Sequence, residues 1–229
     1  MTQQDMDATL IRDAACTVII DRRENEPRVL MGRRRASQVF LPNKWVFPGG
    51  RVDDEDRTLA AELSAAVPGR DDNVSRLSFV LAAIRELFEE AGLLLDDPHA
   101  TRRPLPGTWQ HFARSGRMPA IRHLSPLARA ITPPGLPRRF DTWFFVAERT
   151  NISKRTFEPD GELLDLGWFT LSEVRGLDLP HITRLIVDDV ASWLELGANV
   201  ETRQMPFYFQ DIDGYKRTII DASGPFLAP

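Results

Sequence analysis

The 229 residues include one cysteine, three lysines and four histidines, and each scarcity excludes something. A lone Cys16 cannot form a disulfide within the chain, which rules out a disulfide framework and favours a reducing compartment. It sits in an apolar run, Ala14 to Ile20, predicted to be a strand, and is expected there as a small buried hydrophobe. His99, His111, His123 and His181 are scattered and form no zinc-ligand pattern, so loop or surface positions are expected for all four. No apolar run approaches the ~20 residues of a membrane span. The polar opening from Met1 to Asp7 is not a secretory signal, and Leu227-Ala228-Pro229 is not a peroxisomal address. Cytoplasm is the expected location. A net charge of −4 argues against nonspecific binding of nucleic-acid polymers. The 26 arginines against three lysines read as genomic base composition rather than function.

What is present is an ordinary globular mixture, 42% hydrophobic and 27% charged, long enough for one large domain or one domain with an appendage. Residues 1–11 read as an N-terminal arm. Ala14 to Asp21 and Arg28 to Arg34 are β-rich runs around a polar turn and predict a hairpin. Trp45 to Phe47 predicts a short strand, and the three pieces Ile121 to Ile131, Phe140 to Glu148 and Leu164 to Phe169 predict further strands. Helical spacing covers Ser78 to Ala91 and Pro180 to Leu196, with shorter helices at Thr108 to Arg114 and Leu171 to Val174. Residues 203–220 predict a terminal hairpin that turns at Asp211 to Gly214. Taken alone, these periods say only that α and β elements are mixed.

The chemistry concentrates in Arg85-Glu86-Leu87-Phe88-Glu89-Glu90-Ala91-Gly92-Leu93. At about 100° per residue, Leu77, Val80, Leu81, Ile84, Phe88 and Ala91 share one stripe of a helix. Glu86, Glu89 and Glu90 fall opposite it. Like charges three and four residues apart repel, and no basic residue lies one turn further on. A hard divalent cation would convert that repulsion into attraction; a solvated acidic face is the plainer reading. Upstream, Trp45-Val46-Phe47-Pro48-Gly49-Gly50 reads as a strand stopped by proline and turned by glycines. Gly49 or Gly50 could bring a carbonyl close to a metal, though an ordinary loop has the same composition.

Together these two segments resemble the Nudix hydrolase family. Its signature runs from a glycine through five residues to a glutamate, then to Arg-Glu-apolar-any-Glu-Glu-any-Gly-apolar, which Arg85 to Leu93 match at every position. The first half departs from it. Five residues separate Gly50 from Asp56, an acid one methylene shorter, and 28 residues rather than seven lie between Asp56 and Arg85. The surplus, about residues 57–77, predicts a short extra helix (Leu59, Leu63, Ala66, Val67) and a polar loop. That insertion, the entry Trp45 to Gly50 and the strand start Arg138 to Thr142 resemble the branch of peroxisomal coenzyme A diphosphatases and their bacterial relatives.

The resemblance implies an α/β fold, the Nudix-type α/β/α sandwich with a mixed sheet. It places a Nudix domain over about residues 12–200, with 201–229 as a C-terminal extension packed on it. It implies hydrolysis of a diphosphate in a nucleoside diphosphate-X compound, with coenzyme A or acyl-coenzyme A as the first substrate class. ADP-ribose, another nucleotide-sugar diphosphate, or a noncatalytic nucleotide-binding regulator are the alternatives. Mg2+ is the implied cofactor, with Mn2+ as substitute. Glu86, Glu89 and Glu90, with Gly49 and Gly50, are the implied ligands. Glu86, Arg85 and Glu89 carry the catalytic roles: Glu86 as ligand or general base, and Arg85 as the guanidinium that fixes a neighbouring glutamate. Arg34, Arg51 and Arg139 are candidate phosphate contacts, and Glu158 and Glu162 are candidate extra bases or ligands. The expected partner is a small diphosphate, with no membrane; the sequence gives no support for an oligomer.

Overall fold

The computed structural model describes residues 10–65, 74–153, 158–196 and 204–222. The expected arm over residues 1–9 and part of the inserted loop lie outside them. The chain begins with β1 (Ile11–Asp21), β2 (Arg28–Arg34), β3 (Trp45–Val46) and β4 (Gly49–Arg51), then α1 (Asp54–Ala65) and α2 (Val74–Ala91). Next come β5 (Asp96–Asp97), a 3-10 turn at Gly107–Trp109 running into α3 (Gln110–Ala113), then β6 (Met118–Pro119), β7 (Ser125–Ile131) and β8 (Arg139–Glu148). The last elements are β9 (Leu163–Thr170), α4 (Leu171–Arg175), α5 (His181–Leu196), β10 (Gln204–Asp211) and β11 (Gly214–Asp221).

The main sheet is mixed, in the order β11-β10-β7-β8-β1-β2-β3, with β4 also on β1 and β9 also on β2. Strand alternation sorts its side chains into two cores. Ala15 and Ile19 of β1, with Trp143, Phe145 and Ala147 of β8, face α1, α2 and α3. Val18 and Ile20, with Phe144 and Val146, face α4 and α5. Helices therefore cover both faces, and the architecture is the α/β/α sandwich of the Nudix fold.

Several expectations are corrected. Ile11, expected at the end of the arm, belongs to β1, where it pairs with Arg139. β1 and β2 pair antiparallel across the turn, as expected, but only at Ile20–Val29 and Asp21–Arg28. The same edge of β1 pairs earlier with β4, Ala14 to Arg51 through Cys16 to Gly49. That change of partner along one edge seats the glycine turn against the sheet. The run Ile121 to Ile131 splits into a 3-10 turn at Ile121–His123 and strand β7. Helix α2 starts at Val74, not Ser78, and buries Ser78, Ala82, Arg85 and Glu90 as well as its apolar stripe. The solvated acidic face is thereby excluded: α1 and β4 pack on the side that carries the acids. The terminal hairpin forms as expected and extends the sheet, with Phe207 and Tyr208 paired parallel to Arg129 and Ala130.

Candidate active site

Everything at the site hangs on Arg85, a guanidinium 3% exposed in the middle of α2. A buried cation must be paired, and this one is paired on two sides. Its Nε and Nη2 donate to Asp56 Oδ1 and Oδ2, at 3.1 and 2.9 Å. Nη2 also donates to the Arg51 carbonyl at 2.9 Å. Toward the site, Nη1 donates to Glu86 Oε1 at 2.9 Å and to Glu89 Oε2 at 3.0 Å. The planar fork of arginine suits this bidentate use.

Asp56, fully buried, is the anchor. It lies in the first turn of α1, so the inserted helix begins before the point at which the family spacing ends. Besides Arg85, its carboxylate accepts from the Asp53 N–H at 2.9 Å and from Trp109 Nε1 at 2.9 Å. Four donors thus converge on two oxygens, and the carboxylate's lone pairs are filled. Trp109 is itself buried and stacks edge-on to Phe112, which meets Phe88 of α2. Sequence reading passed over Trp109 because a tryptophan beside a Pro/Gly loop looks like any core aromatic. It gave Asp56 no site role because a shortened acid reads as a departure from the motif.

Glu86 and Glu90 line the turn at Gly49–Gly50. Glu90, 2% exposed, accepts from the Gly49 N–H at 2.7 Å. A Cβ on Gly50 would lie 2.4 Å from the Glu86 carboxyl, and one on Gly49 would lie 2.4 Å from the Ala15 carbonyl. Both glycines are therefore required by close approach rather than by an unusual φ. Burial pushes the Glu86 carboxyl up to about 7, against the pull of Arg85 and with a further push from Glu89. Glu90 is held well above the usual range, by burial first and by the Glu86 charge second. Burial also raises Glu89, with Arg85 opposing. Cys16, half-buried beside Gly49, has its thiol pushed up to about 12 by burial and then by Glu90 and Glu86. It is a neutral filler here.

Among the described residues, no three acidic, histidine or cysteine side chains stand together as a ready-made ion cage. The cause is visible in the bonds: Arg85 takes Glu86 and Glu89, and the Gly49 N–H takes Glu90. The donor set still fits a hard divalent cation. It consists of oxygen donors, its carboxyls are raised by burial and mutual repulsion, and glycine leaves no side chain between Glu86 and the turn.

The remaining candidates separate. Glu158 and Glu162 are exposed, Glu162 accepting from Gln38 Nε2 at 3.3 Å. Between them in sequence, Asp160 is the closer acid. Its N–H donates to the Glu89 carbonyl at 2.8 Å, and its charge helps raise Glu89 and Glu90. Arg34 donates to the Phe40 carbonyl and to Gln38 Oε1, and its charge favours ionised Glu90. Arg51 is exposed at the end of the turn. Arg139 donates to the Thr132 carbonyl, away from the carboxylates. Arg33 and Lys44 are occupied by Asp165 and Asp178. The four histidines are exposed, as expected.

No family model matches the chain. A Caenorhabditis elegans protein named "Putative nudix hydrolase 7" is 32% identical over 130 residues, 52% of this chain. Those residues span 39% of that protein's length, so this chain covers well under half of the curated relative it matches. The crystal structure of a Nudix hydrolase from Alicyclobacillus acidocaldarius is 29% identical and superposes with a TM-score of 0.60. That match covers 80% of this chain and 92% of the other. Motif, fold and these two likenesses make the chain similar to Nudix hydrolases over most of the described residues.

Proposed function

We propose that the protein hydrolyses the diphosphate linkage of a nucleoside diphosphate-X compound with the help of a divalent cation. The observation that carries this reading is the row of buried Glu90 and half-buried Glu86 and Glu89, the first two against a side-chain-free glycine turn. Crowded buried carboxylates are costly unless a cation compensates them. Mg2+, or Mn2+ in its place, would neutralise the diphosphate oxygens and lower the pKa of a bound water. Glu86, Glu89, Glu90 and a carbonyl of Gly49 or Gly50 would hold it, with Asp160 close by.

The chain's own groups do the rest. Arg85 fixes Glu86 and Glu89 in orientation and is itself fixed from behind by Asp56. Glu86 is either a ligand of that cation or the group that takes a proton from water. Arg51 and Arg34 are the nearer basic candidates for phosphate oxygens, and Arg139 the more distant one. Coenzyme A and its thioesters head the substrate classes, because the inserted α1 and the Trp45 to Gly50 entry resemble the enzymes that cleave them.

The test is a screen of coenzyme A, acetyl-coenzyme A, ADP-ribose and other nucleotide diphosphates, each with chelator, Mg2+ or Mn2+, with products resolved chromatographically. Cation-dependent splitting of the diphosphate is the expected result. Tight binding without turnover in every arm would replace the enzyme reading with that of a nucleotide-binding regulator.

A further inference from the structure

At the C-terminal end of α2, a cavity of about 570 Å3 opens between the helix terminus and strands β2 and β9. Its walls include Leu30, Leu93, Leu166 and Trp168, and its mouth is set by Arg23 and Arg149. Ala91, next in sequence to Glu90, forms part of its wall, but none of Glu86, Glu89, Glu90, Gly49 and Gly50 lines it. Its charges do not balance. Arg23 takes both oxygens of buried Asp21, at 2.8 and 2.7 Å. Arg149 reaches the same carboxylate only through Nε, at 3.4 Å. Two guanidinium groups therefore converge on one buried acid, with the Glu24 charge also felt by Arg23. The Arg149 Cζ lies 4.1 Å from the Trp168 ring centroid, and beyond its long Nε contact with Asp21 the guanidinium makes no side-chain hydrogen bond among the described residues. Asp96, behind the cavity wall, bonds Ser153 and is matched by Arg117 at 3.4 Å. Burial and the Arg23 charge both oppose the Arg149 proton, as expected where an anion is wanted.

We propose that this cavity is a second binding site, for a small organic anion with an apolar body and one phosphate or carboxylate head. The head would take the free donors of Arg149 beside Arg23, and the body would lie among Leu30, Leu93 and Leu166. A volume of this size is typical of small-molecule sites.

The probes are phenyl phosphate and benzoate, with phenol and inorganic phosphate as controls, followed by methyl NMR of the whole protein. Saturable, salt-sensitive shifts at Leu30, Leu93 and Leu166 with at least one of the two aromatic anions are expected; which one responds identifies the head group. Phenol and inorganic phosphate should bind at least tenfold more weakly. Arg149→Gln should weaken binding at least fivefold, and Leu93→Phe, which fills the cavity with the charges intact, should do the same. Arg149→Gln should leave diphosphate hydrolysis unchanged. Absence of saturable shifts, binding unaltered in both variants, or displacement of the probe by a substrate of the glutamate site would overturn the proposal. Because binding is read without turnover, its outcome is independent of whether the glutamates catalyse hydrolysis.

Discussion

Replacing Asp56 with glutamate would restore the acid that the family pattern has at this position, yet it should destabilise this protein. All four lone-pair positions of Asp56 are filled, two by Arg85, one by the Asp53 N–H and one by Trp109, and the residue is fully buried. An added methylene has no space, and overpacking of this kind costs about 1–3 kcal/mol. Trp109→Phe alone removes one hydrogen bond to a charged acceptor, worth about 1.5–3 kcal/mol. It also clears the space that the indole occupied. The two changes should therefore compensate: the double variant should be more stable than the sum of the singles predicts, by about 1 kcal/mol or more, within the range found for residues in contact. Urea unfolding of the four proteins, with equal m-values checked, measures that coupling directly. Hydrolysis should follow the same pattern, since a displaced carboxylate releases Arg85 and with it Glu86 and Glu89. Additivity within about 0.5 kcal/mol would refute the idea that Trp109 and the short acid are a matched pair.

Glu90→Gln should reduce cation-dependent hydrolysis to background while the fold persists, unchanged or slightly more stable, because a repelling buried charge is gone and the amide oxygen can still accept from Gly49; retained turnover would remove Glu90 from the ligand set. Gly50→Ala should push the Glu86 carboxyl aside and lower turnover on the order of 100-fold, with circular dichroism unaltered. In chelator, stability should rise as pH falls from 8 toward 5. Glu86 is raised from 4.5 to about 7, so the folded chain binds a proton that the unfolded chain does not, worth up to roughly 3 kcal/mol. That gain is lost as pH climbs through 7. Far lower in pH, Asp21, whose carboxyl Arg23 holds down, works in the opposite direction. A flat or inverted thermal-stability profile between pH 5 and 8 would show that burial does not raise the glutamates.

The parts of the site that were legible in the sequence are those fixed by local spacing. Glu86, Glu89 and Glu90 share a helix face by period alone, and Gly49-Gly50 announces a close approach, which the space beside Glu86 requires. β2, α5 and the terminal hairpin fall within about a residue of the bounds read from the sequence. The illegible parts are set by tertiary packing. The acidic side of α2 is enclosed because α1 and β4 lie on it, which no period within the helix encodes. Asp160, rather than Glu158 or Glu162, approaches the glutamates because its backbone bonds to Glu89. The change of partner along β1 is likewise invisible in a strand that looks continuous. Trp109 joins the site through an indole nitrogen 53 residues from its acceptor, and no local pattern carries that.

The bridge from Asp56 to Arg85 spans 29 positions of chain and clasps both ends of the segment between them. Closing a longer loop adds only about 0.6 kcal/mol for each doubling of its length. The connection between α1 and α2 can therefore change in length at little cost in closure entropy, while Leu59, Leu77 and the glutamates beyond the clasp stay in place. A chain built this way can acquire new surface beside its reactive centre without rebuilding the centre.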